Sequence, residues 1–352
     1  MKYIQVNNLD FANIKSALKD YLRAQTDFTD YDFEGSVWSN VLDVLAYNTY
    51  YTAFNTNMVV NEMFLESATL RDNVVTIAKQ LGYKPKSVVA PKATVSFQVN
   101  FPQTYPATIE LKKGTGFVTS FDDKIYKFVT IEDYKAGVVN GQAFFNNIEV
   151  YEGSLVTDTF TVDTTRAGQQ FLLSNGSADT STIRTKVFPI ETATEFAYYN
   201  QINNIVDIGA SDGIFYVDEN LDEQYELFFG DGVIGKALEN NNFIEVSYLV
   251  SSGSAANNAS VFTFSGVLTD KNGIAFPNNV TNITTVFSAQ GGADIENIDS
   301  IKNNAPKLYA TQNRAVTSND YAAIVRKIYP AISDIITYGG EEERYPEFGK
   351  VK

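Results

Sequence analysis

The chain has 352 residues, 42 of them acidic and 27 basic, for a formal net charge of −15, and it contains neither cysteine nor histidine. That charge repels phosphate backbones and anionic lipid, so neither nucleic acid nor a membrane surface is an expected partner. The two absences exclude disulfides, thiol chemistry, His-bound zinc and any Ser-His-Asp triad, so the composition points away from an enzyme and away from a cofactor or metal centre.

The length exceeds what one ordinary core holds, so two to four units are expected. With 21 Tyr and 25 Phe, much of the chain should be β structure. The start, Met1 to Asn8, lacks the apolar centre of a signal peptide, and no window offers about 18 unbroken apolar residues. The expectation is a protein made and kept soluble in a cytoplasm.

Residues 8–84 read as helices. Phe11, Ile14, Leu18 and Leu22 recur at helical spacing, and a polar turn follows from Thr26 to Asp30. A long apolar stretch then runs from Val37 to Leu65. A third helix holds Leu70, Val74, Ile77, Ala78 and Leu81, and stops at Gly82 ahead of Pro85. The middle helix carries apolar side chains on nearly every side, with only Ser39, Asp43, Asn57 and Asn61 forming a steadily polar strip. Such a helix has to be covered all round. Either the chain's own β region completes the cover or helices of a partner do, and Trp38, Leu42, Leu45 and Tyr47 are the candidate partner-interface residues.

From about Ala90 the period becomes two, as in Val95, Phe97, Val99 and Phe101. Strand-like runs recur at 125–131, 148–151, 155–162, 183–190, 213–217, 224–229 and 243–250, separated by Gly, Asn, Asp and Ser. Helical signals return after Gly291-Gly292: Asp299 to Lys307, limited by Pro306, and a helix capped by Thr317 with Asp320 three residues on. Ile332 to Tyr338 is strand-like. The fold class is therefore α+β and multidomain: an N-terminal helical region (1–89), a β-rich domain (90–210), a second β-rich domain (211–292), and the start of a mixed C-terminal domain (293–352) that looks cut within a unit.

Gly230-Asp231-Gly232-Val233-Ile234-Gly235 matches the G-x-G-x-x-G of dinucleotide sites. Such a site needs a helix to begin there, whereas Asn240-Asn241-Asn242 and another strand follow. The reading adopted is a structural hairpin turn at Gly230, Asp231, Gly232 and Gly235. Asp218, Glu219, Asp222, Glu223 and Glu226 crowd one loop and Glu341 to Glu343 another. Neither has EF-hand spacing, and in an acidic chain they read as solvated loops. No Ser-x-x-Lys pattern sits in a convincing strand-to-helix context.

Three ordered blocks carry a family resemblance. The first comprises Asp30-Tyr31-Asp32-Phe33-Glu34-Gly35-Ser36, Leu42 to Asn48, Asn61 to Leu65 and Leu81-Gly82-Tyr83; the second is Phe229 to Lys236 with Val246-Ser247-Tyr248. The third is Gly291 to Asp294, Ala305-Pro306, Arg314 to Thr317 with Asp320-Tyr321, and Tyr338 to Glu341. The second and third resemble the baseplate J-like proteins of contractile phage tails, and the first resembles the larger baseplate wedge subunit of T-even-type bacteriophages. The resemblance implies a structural, non-catalytic virion protein of the tail baseplate, assembled in the host cytoplasm. It also implies a dimer with a second copy of itself, contacts with other wedge proteins in an inner ring, and relay of the trigger for sheath contraction. The alternative from another class is a β-rich phage protein that binds or cleaves glycans with carboxylates.

Overall fold

The computed structural model describes residues 10–25, 36–102, 104–166, 168–202, 208–220, 222–276, 279–329, 332 and 334–352. The polar turn expected at 26–30 and the Asp30 to Gly35 part of the first block lie outside these. The chain forms two compact units: Met1–Tyr83 with Ile298–Tyr309, and Lys84–Asn297 with Ala310–Lys352. The architecture is α+β, with helices first, a large antiparallel β middle, and helix again near the C-terminal end.

In the helical unit, α1 (Phe11–Arg23) opens at Asp10, whose carboxylate accepts hydrogen bonds from the Ala12 and Asn13 amides at 2.9 and 3.2 Å. Helix α2 (Val37–Glu62) opens at Ser36, whose hydroxyl oxygen accepts from the Ser39 amide at 3.0 Å. It stops three residues short of the expected Leu65. Helix α3 (Arg71–Gln80) has Leu70 at its cap position, which offers no side-chain acceptor. Glu62 supplies it instead, accepting from the amides of Thr69 and Leu70 at 2.8 and 3.2 Å, from the Thr69 hydroxyl at 2.6 Å and from Asn73 Nδ2 at 2.9 Å.

The helical unit is not a contiguous stretch of sequence. Ala68, Val74, Val75, Ala78 and Tyr83 pack against Ile301, Ala305 and Leu308 of α4 (Ile298–Thr311). The apolar face of α3 is thus covered by a helix from far along the chain, on the other side of the divisions expected at 89 and 293. Pro306 does not end α4, which runs on to Thr311. Proline removes one amide donor, and buried side chains on both sides of it hold the turn in place.

The β unit contains β1 (Lys92–Asn100), β2 (Thr108–Leu111), β3 (Gly116–Phe121), β4 (Lys124–Val129), β5 (Tyr134–Gly137), β6 (Gln142–Glu152), β7 (Ser154–Thr161) and β8 (Phe171–Leu172). It continues with β9 (Ala178–Phe188), β10 (Ala197–Gln201), β11 (Ile214–Glu219), β12 (Tyr225–Phe229), β13 (Phe243–Val250), β14 (Thr263–Phe264) and β15 (Asn279–Gln290). One sheet has the order β14-β3-β4-β6-β1-β15 and a second β7-β13-β9-β10-β11-β12-β8, while β2 and β5 pair apart. All pairs are antiparallel except β10 with β11.

The alternation in β1 is what the first sheet uses. Ala93, Val95, Phe97 and Val99 point into a core with Phe117, Phe128 and Phe145. The second core gathers Leu173, Phe215, Leu227, Ile244 and Tyr248. Between β6 and β7 the chain turns at Gly153, whose φ of +116° and whose closeness to the Val250 carbonyl leave no room for a Cβ. Both sheets draw strands from the two sides of the division expected at 210. The second sheet joins β9 and β10 to β11, β12 and β13, and the first sheet needs β15 beside β1.

Helix α5 (Ser318–Ile328) begins with the capping box foreseen, Thr317 and Asp320 exchanging side chain-to-amide bonds. The strand expected over Ile332 to Tyr338 is absent from its described part; of that range, residue 333 lies outside the described residues. Instead Tyr338 and Lys352 exchange backbone bonds at 2.9 Å.

Candidate protein-protein interface

The four interface candidates all lie on α2, so its circumference decides what the helix does. Ser39, Leu42, Ala46, Ala53, Asn57 and Asn61 are buried, and their spacing puts them on one face. This is the strip that the sequence marks as most polar. Small side chains let a neighbour come close. Asn61 Nδ2 donates to the Asn57 carbonyl and the Ser67 hydroxyl to the Asn61 carbonyl, both at 2.7 Å, while the buried Ser39 hydroxyl oxygen has no hydrogen-bond partner among the described residues. Helix α1 packs on α2 and adds an ion pair between Lys15 and Asp43 at 2.5 Å.

The rest of the circumference is open, and two apolar stripes run along it among exposed Asn40, Asn48 and Asn55. Val44, Tyr47, Tyr51, Phe54 and Met58 are spaced 3-4-3-4, the seam of a coiled coil, and each is at least 43% exposed. Tyr47 donates its hydroxyl to that of Tyr51 at 2.9 Å, and the rings meet edge to face with centroids 4.7 Å apart. That hydrogen bond, with the proximity of Tyr51, pushes the Tyr47 hydroxyl above the usual tyrosine range.

A second open stripe runs through Trp38, Val41, Leu45 and Val59. The threonines between them turn their hydroxyls inward: Thr49, Thr52 and Thr56 donate to the carbonyls of Leu45, Asn48 and Thr52 at 2.9, 2.9 and 2.8 Å. With those donors satisfied, the stripe presents methyl groups. Of the four candidates, Trp38 and Leu45 fall on this stripe and Tyr47 on the first, whereas Leu42 is buried within its own unit. Tyr51, Phe54 and Met58 extend the candidate surface; the 3-4-3-4 spacing marks them in the sequence.

The G-x-G-x-x-G is neither a helix start nor a hairpin. Strands β12 and β13 are not neighbours in their sheet, so the loop between them crosses rather than doubles back. Asp231 holds the loop by accepting from the Val233 and Ile234 amides at 2.9 and 2.8 Å, bonds that keep its carboxyl below the usual range, that from Ile234 foremost. The Gly232 amide donates to the Gly235 carbonyl at 3.0 Å. Gly235 lies on Ile214 so closely that a Cβ would sit 2.2 Å from its Cγ1. Among the carboxylates of the acidic cluster, Glu219 and Glu226 are buried on strands while Asp222 is exposed. Among the described residues no group of three or more potential ligands is placed to hold a metal ion, and no helix is long and apolar enough to cross a membrane.

Residues 10–83, which hold α1 to α3, match the family described as baseplate wedge protein gp6-like, helical domain. Residues 317–352 match baseplate structural protein gp6, C-terminal domain I. Both ends of the chain are thus similar to baseplate wedge proteins. The chain is also 28% identical over 342 residues to the baseplate wedge protein gp6 of Enterobacteria phage T4, covering 92% of this chain and 50% of that protein. It spans about half the length of the curated relative it matches. A chain of the anti-feeding prophage (AFP) baseplate, solved by cryo-EM, aligns over 93% of this chain and 58% of its own length. The TM-score is 0.32 and the identity 13%, too loose to place any element.

Proposed function

We propose that the chain is a structural subunit of a contractile-tail baseplate wedge, built to bind other protein chains rather than to catalyse. The observation that carries this is α2: its own unit buries one narrow stripe and leaves two apolar seams open. Leaving several large side chains in water costs about 1.5–3 kcal/mol each relative to burial, so the helix fits the centre of a bundle that other chains complete. The similarity of residues 10–83 to a wedge helical domain supports the same assignment. The finer reading places the middle of the chain with the baseplate J-like proteins, pairs the subunit with a second copy, sets the pair in an inner ring, and has the ring relay the trigger for sheath contraction. The Phe229 to Lys236 block supports its J-like part.

The lack of cysteine gives a clean test. A single cysteine at Leu45 or at Tyr51, labelled with an environment-sensitive dye, should report a blue shift when the neighbouring tail proteins are added. A label at exposed Lys271 serves as the control. Unchanged spectra at both α2 positions, in a mixture that has assembled, would overturn the assignment of the seams.

A further inference from the structure

The Gly230 to Gly235 loop has no part in the α2 surface, yet it is tightly built. Its glycine end is pressed on Ile214, and the Gly235 and Lys236 amides donate to the carbonyls of Gly209 and Asp212 at 3.2 and 2.7 Å. The loop's apolar tip is open: Val233 is 76% exposed and Ile234 41%. Two apolar side chains held out by a rigid turn are not explained by the core beneath them.

The sheet around the loop continues the surface. Ile214 pairs with Asn200, so Tyr198 and Tyr216, each two residues away, lie on the same face as the loop. Both tyrosines are exposed, and Tyr216 stacks on Phe228 with centroids 4.8 Å apart. Phe196, also exposed, packs edge-on against Tyr198 at 5.1 Å. The charges at this patch are mostly negative. Glu195, Asp212, Asp218 and Asp231 adjoin its residues along the chain. Lys186 lies over the Phe196 ring, 4.9 Å from its centroid, but is paired with Glu245 at 3.3 Å, and Lys236 is the cation of the loop itself.

We infer that this face of the seven-stranded sheet, centred on Val233, Ile234, Tyr198 and Tyr216, is a second protein-docking surface. Its occupant is a segment of a different protein that carries an apolar or aromatic side chain flanked by Lys or Arg. A second copy of this chain is disfavoured because the same acidic rim would then face itself, and like charges brought together across an interface cost affinity. The surface rests on the β unit alone and stands or falls apart from α2.

The test is a selection of random peptides displayed on a carrier against the whole chain, with the V233D/I234D variant as counter-selection and circular dichroism to show that its fold is intact. The expected result is enrichment of peptides with aromatic or aliphatic centres and excess Lys and Arg, whose affinity falls at least tenfold on the variant and is unchanged by Leu45→Asp in α2. Enrichment indifferent to the loop substitutions would overturn the inference. So would selected peptides that are acidic, or self-association of the wild-type chain that the variant abolishes.

Discussion

Helix α4 lies far from the other helices in sequence but completes their core, and removing it is the sharpest test of that packing. In a fragment of residues 1–89, Val74, Val75, Ala78 and Tyr83 lose the cover of Ile301, Ala305 and Leu308. Ile301 is fully buried and Leu308 nearly so, and each is worth about 1.5–3 kcal/mol of burial. Adding the apolar surface uncovered on α3 brings the loss to about 5–8 kcal/mol, within the whole stability of a typical domain. The fragment should therefore show weak helicity and a broad, non-cooperative melt by circular dichroism. In the full chain, Ile301→Ala should cost about 2–5 kcal/mol, read as a fall in the denaturation midpoint of the helical unit. A 1–89 fragment that melts cooperatively at the temperature of that unit in the intact chain would refute the reasoning.

Glu62 makes a pH-dependent contribution. Partial burial disfavours its charge, but the bonds from Thr69, Asn73 and Leu70 outweigh that and bring its pKa from 4.5 to about 2. With the folded value below the unfolded one, the stabilisation is complete above about pH 4.5 and is lost as the pH falls towards 2. Glu62→Gln should cost about 1–2 kcal/mol at neutral pH after solvent screening. The difference from wild type should shrink on acidification, and urea titrations at several pH values would show a constant gap if this is wrong. Leu42 and Leu45 should part company: Leu42→Asp should unfold the N-terminal helices, while Leu45→Asp should leave helicity unchanged, as circular dichroism of each variant will show.

Much of the fold is legible in the sequence where a local pattern matches its surroundings. The β1 alternation, the Thr317 capping box and the three N-terminal helices follow from periodicity and cap chemistry alone. Strand β15 escapes notice because it is rich in Asn and Thr, is bulged against β1 and carries Asn282 at φ +52°, so no clean alternation survives. The long-range pairing is not legible for a different reason. Which strands pair, and that α4 returns to α3, depend on contacts between distant segments that no window of sequence contains. The buried strip of α2 reads backwards because small residues let helices approach closely, and Asn61 is satisfied by the Asn57 carbonyl one turn back. The G-x-G-x-x-G is a turn, but the sequence cannot reveal that its two strands lie apart in the sheet.

The central claim, that α2 joins other chains through its open seams, is tested most directly by native mass spectrometry of the chain mixed with its neighbouring tail proteins. The comparison is between wild type and the Leu45→Asp/Tyr51→Asp/Met58→Asp variant, all three positions being exposed in the isolated chain. Wild type should give a multi-chain complex and the variant only the free, folded subunit. A complex of the same composition and abundance with the variant would contradict it.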